Sequence, residues 1–152
     1  MKITKIIFIF IFLINTSCGY KPIYLKDDQL VLEFSDIISI GDDKINRQII
    51  NTIGIKKNEN ENNLNELTLI TYYSEEETSK NSKGQVETYR SIINIQLIIK
   101  NGKKIIKTNN FLNEFSYSNK DNKFELTQYQ NEVKNNLINK SSEEIILFLN
   151  LS

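Results

Sequence analysis

Two stretches of the chain repeat hydrophobic residues every three or four positions, which is the period of an amphipathic helix. The first, residues 44–53, follows Asp42 and Asp43, which offer an N-cap carboxylate, and precedes Gly54 at the place of a C-terminal cap. The second covers residues 126–149. Its stripe is mostly apolar and consists of Leu126, Tyr129, Val133, Leu137, Ser141, Ile145 and Phe148. A Ser-Ser-Glu-Glu run from Ser141 resembles a helix cap and allows a bend near Asn139.

Alternating and β-branched segments predict four strands, within residues 30–40, 65–73, 86–100 and 103–117. Residues 86–100 alternate most clearly, and one face of that strand carries Tyr89, Ser91, Ile93, Ile95, Leu97 and Ile99. The second face carries Thr88, Arg90, Ile92, Asn94, Gln96 and Ile98. Asn101 and Gly102 follow directly and predict a tight hairpin turn, because both residues tolerate positive φ. The polar stretches 56–63 and 75–85 are predicted to be loops.

The order of these elements is strand, helix, three strands, helix. This order predicts an α+β fold in which two helices cover one face of a mostly antiparallel four-stranded sheet. Residues 30–152 are expected to form that single domain, since a chain of this length supplies one hydrophobic core.

The amino-acid composition argues against several classes of function. The 19 basic and 19 acidic residues cancel, which argues against nucleic-acid binding by a basic surface. Histidine is absent, so Ser-His and Cys-His nucleophile systems and most zinc sites are excluded. No pair of carboxylates has a spacing that indicates acid–base catalysis. We therefore expect neither catalytic residues nor a metal site, and the protein is predicted not to be an enzyme.

The first residues have the pattern of an export signal. Lys2 and Lys5 precede an apolar run, residues 6–14, which as a helix would rise only about 14 Å and is too short to span a bilayer comfortably. Small or polar residues then lead to Cys18, the single cysteine. This arrangement resembles a bacterial lipoprotein signal. The resemblance implies removal of residues 1–17, diacylglycerol and N-acyl lipid on Cys18, a tether at 18–29, and no other cofactor. An uncleaved anchor, or a secretory signal with an incidental cysteine, is the alternative.

The start of the expected mature chain carries a family motif: Cys18, Gly19, Tyr20, Lys21, Pro22, Ile23 and Tyr24. It resembles the LptE family of lipopolysaccharide-assembly lipoproteins, which often read Cys-Gly-Phe/Tyr-x-Pro-Leu-Tyr, and the order of elements continues that resemblance to the C-terminus. The resemblance implies a non-catalytic outer-membrane lipoprotein facing the periplasm. Such a protein plugs and helps assemble the LptD β-barrel and assists lipopolysaccharide insertion. The alternative is an envelope lipoprotein with another partner, either peptidoglycan or a protein.

Four cations are candidate contacts for lipopolysaccharide or for the barrel. Lys100, Lys103 and Lys104 flank the predicted turn, where they would meet phosphate as point charges or simply keep a hairpin solvated. Arg90, on the longest strand, suits bidentate binding of phosphate or carboxylate, and equally a bridge to a glutamate on a neighbouring strand. An aromatic stripe of Phe111, Phe115 and Tyr117 is typical of core, although acyl-chain contact is the alternative.

Overall fold

The computed structural model of the chain describes residues 32–58 and 65–150. The strands are β1 (Glu33–Phe34), β2 (Asp36–Gly41), β3 (Lys56–Lys57), β4 (Asn65–Lys80), β5 (Val86–Asn101) and β6 (Lys104–Ser118). The helices are α1 (Asp43–Ile53), between β2 and β3, and α2 (Lys123–Asn150), after β6. The main sheet has the order β2-β4-β5-β6, while β1 and β3 form a two-stranded parallel sheet.

Capping interactions define both ends of helix α1. The Asp42 carboxylate accepts hydrogen bonds from the backbone N–H groups of Lys44 (2.9 Å) and Ile45 (3.1 Å), which have no partner within the helix. Gly54 ends the helix with φ 79°, and its N–H donates to the Ile50 carbonyl. Both predicted caps are confirmed.

The predicted fold class is confirmed. Strand β2 runs parallel to β4, and β4, β5 and β6 are mutually antiparallel. Both helices pack against the sheet, and the buried core lies between them and one sheet face. Its completely buried apolar members are Ile49, Leu67, Leu69, Ile93, Ile95, Leu97 and Ile145. The side chains predicted to share one face of residues 86–100 point toward this core, and all of them except the partly buried Tyr89 are buried.

One predicted loop is a strand. Residues 75–80 continue β4 instead of starting a polar connection, and the turn to β5 is confined to residues 81–85. Asn81 organises that turn, because its side-chain oxygen accepts from the N–H groups of Lys83 (2.9 Å) and Gln85 (3.0 Å). The extension is mostly exposed on both faces, so it lacks the hydrophobic alternation that normally identifies a strand. The hydroxyl groups of Thr78 and Ser79 on β4 contact the Thr88 hydroxyl on β5, so the two strands are also joined by side chains here.

Other boundaries also differ from the predictions. The first strand divides into β1 and β2, and the predicted loop 56–63 opens with the two residues of β3. The turn between β5 and β6 consists of Gly102 and Lys103, because Asn101 already pairs with Lys104. Gly102 has a positive φ, 56°, as a tight hairpin turn requires.

The last helix starts earlier than predicted and has no second start. It begins at Lys123 and continues through Asn139 to Asn150. Ser141 and Ser142 are completely buried, and the Ser142 hydroxyl donates to the Ile138 carbonyl at 2.9 Å. These serines are small residues at a packed helix face, so the cap-like pattern was misleading.

Candidate partner-binding surface

The face of the sheet opposite the helices is not covered by any element in the described ranges. Residues that pair in register across strands share a face, and one such row is Tyr72 on β4, Asn94 on β5 and Leu112 on β6. Tyr72 is 65% exposed and Leu112 is 60% exposed. We call this surface the open face. Its apolar members are Ile38, Ile40, Ile70, Tyr72, Ile92, Ile98 and Leu112, and its polar members include Arg90, Asn94, Gln96 and Glu114.

The open face carries more exposed apolar side chains than the water-facing side of a sheet normally does. An antiparallel sheet with one wet side normally alternates hydrophobic-in and polar-out residues. Here Ile38 and Ile40 at the β2 edge are both exposed, as are Tyr72 and Leu112 in the middle row. Contiguous exposed apolar residues interspersed with polar groups are characteristic of interaction sites. The open face is therefore the strongest candidate for partner binding among the described residues.

Two polar atoms on the open face have no hydrogen-bond partner in the described part of the chain. These are Arg90 Nε and Asn94 Oδ1, and both are shielded by neighbouring side chains. Arg90 approaches Glu114 on β6 at 3.7 Å, so the predicted bridge to a neighbouring glutamate is present, although its geometry is loose. An unmade hydrogen bond at a shielded atom is costly, so a partner that supplied the missing donor and acceptor would bind more tightly.

The structure does not bring the predicted cations into one site. Lys100, Lys103 and Lys104 lie at the β5–β6 tip, whereas Arg90 is ten residues back along β5, about 33 Å away at the usual strand rise. None of the three lysines forms an ion pair with a residue of the described ranges. Lys107, further along β6, contacts helix α2 instead. Its ammonium lies 4.0 Å from the centre of the Phe148 ring and donates to the Phe148 carbonyl.

The other predicted site residues are the aromatic stripe on β6 and the N-terminal residues around Cys18. Phe111 and Tyr117 are buried, as expected for core, but Phe115 is about half exposed at the edge of α2. Cys18 and the family-motif residues Gly19, Tyr20, Pro22 and Tyr24 lie outside the described residues. The predicted signal peptide and tether lie there too. Within the described ranges, no helix combines the length and apolarity needed to cross a bilayer.

Polar groups on the other face of the sheet have structural partners. The Tyr73 hydroxyl lies 2.7 Å from a Glu75 carboxylate oxygen and 3.1 Å from Ser91 Oγ, which in turn lies 3.2 Å from the Tyr117 hydroxyl. Burial raises the pKa of Tyr73 well above its usual value. The raised pKa keeps the Tyr73 hydroxyl protonated near neutral pH, where it links β4 to Ser91 on β5.

Asp42 and Asp36 are likewise engaged by local partners. Asp42 caps α1, and its backbone hydrogen bonds, the one to Ile45 first, lower its pKa. Asp36 pairs with Lys57 at 3.1 Å, and that contact lowers the pKa of the aspartate. No group of three potential metal ligands occurs among the described residues.

The open face was missed as a whole by sequence reasoning. Arg90, Asn94 and Gln96 were assigned to the second face of the long strand, but Tyr72, Leu112, Ile38 and Ile40 were not recognised as part of the same surface. The available signal was the loss of alternation in β2 and β4, where apolar residues occupy both phases.

Comparison with solved structures identifies the fold. Rare lipoprotein B from Shewanella oneidensis matches with a TM-score of 0.57 and 12% identity, covering 75% of this chain and 92% of that one. An uncharacterized lipoprotein B from Nitrosomonas europaea matches with a TM-score of 0.59 and 12% identity, covering 84% and 88%. A minor lipoprotein from Acinetobacter baumannii matches with a TM-score of 0.52 and 13% identity, covering 76% and 90%. The chain thus has a fold found in bacterial lipoproteins.

Neither a protein-family model nor a curated protein sequence matches the chain.

Proposed function

We propose that this protein is an LptE-like lipoprotein that uses its open face to hold an LptD-type β-barrel. In this account Cys18 carries the lipid that fixes the domain to the outer membrane on its periplasmic side. The domain plugs the barrel, supports its assembly and assists lipopolysaccharide insertion. It performs no catalysis and needs no cofactor besides that lipid.

The open face is the observation that supports this function best. The interior of an outer-membrane barrel is largely polar, so a plug must offer hydrogen-bonding groups as well as apolar contact. Arg90, Asn94 and Gln96 lie among isoleucines on β5 and provide that mixture. A purely apolar face would be expected for a homodimer core or a lipid pocket instead.

The fold and the N-terminal sequence support the same proposal independently. The solved structures similar to this chain are lipoproteins by their own descriptions. The chain also has a lipoprotein-like signal followed by the LptE-like motif at Cys18. Lipid anchoring would place the domain at the membrane surface, since each buried methylene of an acyl chain contributes about 0.8 kcal/mol.

Depletion of the protein in its native cell tests the function. The proposal expects loss of surface lipopolysaccharide together with loss of the mature barrel. Re-expression of the wild-type chain should restore both, and a Cys18→Ser variant should not. If depletion leaves lipopolysaccharide and barrel at normal levels, the protein serves some other envelope partner.

The exposed Tyr72 ring supports a second candidate, binding to peptidoglycan, because aromatic rings stack on sugars. Sedimentation of the purified protein with isolated peptidoglycan separates the two candidates. Retention that is lost in Tyr72→Ala, combined with normal lipopolysaccharide on depletion, would favour peptidoglycan.

A further inference from the structure

Strand β6 ends the main sheet, and nothing in residues 32–58 or 65–150 pairs with its outer side. It runs for 15 residues, whereas β2 at the opposite edge has only six. A free strand edge presents a row of backbone N–H and C=O groups, which is a template for another extended chain.

The register identifies the backbone groups that point outward. The Asn119 N–H donates to the Glu87 carbonyl at 2.7 Å, continuing the β5–β6 ladder beyond Ser118. In an antiparallel pair, hydrogen-bonded positions alternate along each strand. Odd-numbered residues of this part of β6 therefore bond to β5. The outward backbone groups belong to Thr108, Asn110, Leu112, Glu114, Ser116 and Ser118, and they recur about every 6.8 Å.

This edge lacks the usual protection against pairing. Proteins block free edges with prolines, charges, bulges or short strands. Between Thr108 and Ser118 there is no proline and one charged residue, Glu114, which faces Arg90 rather than standing alone. The irregularity in the β5–β6 register occurs between Ile99 and Lys100, near the far tip. The long unprotected stretch is therefore available to another strand.

A cavity of about 220 Å³ lies beside the same edge, between β6 and α2. Its apolar wall is formed by Phe115, Tyr129, Val133 and Leu137, and Glu132 and Lys140 are among the polar residues that line it. Side chains of an added strand would alternate between the open face and the helix side. An apolar side chain on the helix side would point into this cavity.

We propose that β6 is a strand-addition site that receives an extended segment of the partner protein, with one apolar side chain of that segment seated between Phe115 and α2. The identity of the donor rests on the proposed function: it is a segment of the β-barrel partner. Strand addition suits this surface because main-chain hydrogen bonds supply affinity and one pocket supplies register. The open face and the added strand then form one continuous interface.

The test removes an outward N–H and blocks the edge at a single position. Ser116→Pro deletes that donor and places a ring where the added strand would lie, while Ser116→Ala keeps the N–H and serves as the matched control. The barrel retained per lipoprotein is measured after purification from detergent-solubilised membranes. Ser116→Pro should retain about tenfold less barrel than wild type, and Ser116→Ala should stay within about twofold. Asn110→Pro and Asn110→Ala repeat the comparison, and thermal melting verifies folding.

Cross-linking gives a second readout that does not depend on proline variants. A photo-reactive residue at position 110 of the otherwise wild-type complex should cross-link to one continuous segment of the barrel chain. Cross-links to a second copy of the lipoprotein, or folded proline variants that retain the barrel as well as their alanine controls, would overturn the inference while leaving the proposed function intact. If the wild-type protein retains no barrel, the proposed function fails and this donor assignment fails with it.

Discussion

Gly41 joins β2 to the cap of α1, and its replacement by alanine should be among the most destabilising single changes in the domain. Its φ is 96°, a conformation that residues with a Cβ rarely adopt. A Cβ at this position would lie 1.9 Å from the backbone oxygen of Thr71, the residue paired with Gly41 on β4. Relief of that overlap requires β2 to move away from β4, at the point where α1 begins.

Gly54 provides a matched control for the magnitude. It has φ 79° but nothing within 4 Å of the place where a Cβ would be added. Gly54→Ala should therefore cost only the conformational penalty, about 1–2 kcal/mol. Gly41→Ala adds the backbone clash and weakens the β2–β4 ladder, so we expect a loss of about 3 kcal/mol or more.

Urea unfolding of the purified protein, followed by circular dichroism, measures both costs as free energies of unfolding. The expected order is wild type, then Gly54→Ala, then Gly41→Ala, with a gap of at least about 1 kcal/mol between the two variants. Equal losses for the two variants would refute the close approach of Gly41 to β4.

Three further changes are expected to have separable effects. Asp42→Ala should lower the free energy of unfolding by about 1 kcal/mol at pH 7, whereas Asp42→Asn keeps the cap and should cost less. Folding lowers the pKa of Asp42, so ionised Asp42 stabilises the folded state. The extra free energy of unfolding of wild type over Asp42→Asn should therefore be fully present above the unfolded pKa of about 3.9. It should be lost as the pH falls through the folded pKa. Asn113→Ala should cost about 1–3 kcal/mol in thermal or urea unfolding, because Ser141 and Glu144 both lose its amide donor, while exposed Asn109→Ala should be nearly neutral. Cys18→Ser should yield an intact mass without acyl chains and release the protein from membranes on fractionation.

Much of the fold could be predicted because its signals are local. The caps of α1 follow from residues adjacent to the helix. The core face of β5 follows from the unbroken apolar series Ile93, Ile95, Leu97 and Ile99 at every second position. These features depend on the chemistry of a few neighbouring residues, which the sequence displays directly. The fold class followed from their order.

The errors occurred where tertiary contacts decide the structure. The polar end of β4 is a strand because β5 lies beside it, which composition cannot indicate. The buried pair Ser141 and Ser142 resembled a cap because the sequence does not reveal that Asn113 of β6 contacts Ser141. The open face required the register of four strands at once, so its residues on β2 and β4 could not be connected to those on β5 and β6 beforehand.

Recovery of the barrel with an open-face variant tests the central claim most directly. Tyr72→Lys places a charge in the middle of the face, and Tyr72→Phe keeps the ring as its control. Because Tyr72 is 65% exposed, either change should alter the free energy of unfolding by no more than about 0.5 kcal/mol. We predict that wild type and Tyr72→Phe retain an LptD-type barrel from detergent-solubilised membranes and that Tyr72→Lys loses most of it. Full retention by a folded Tyr72→Lys protein would contradict the assignment of the open face as the barrel-binding surface.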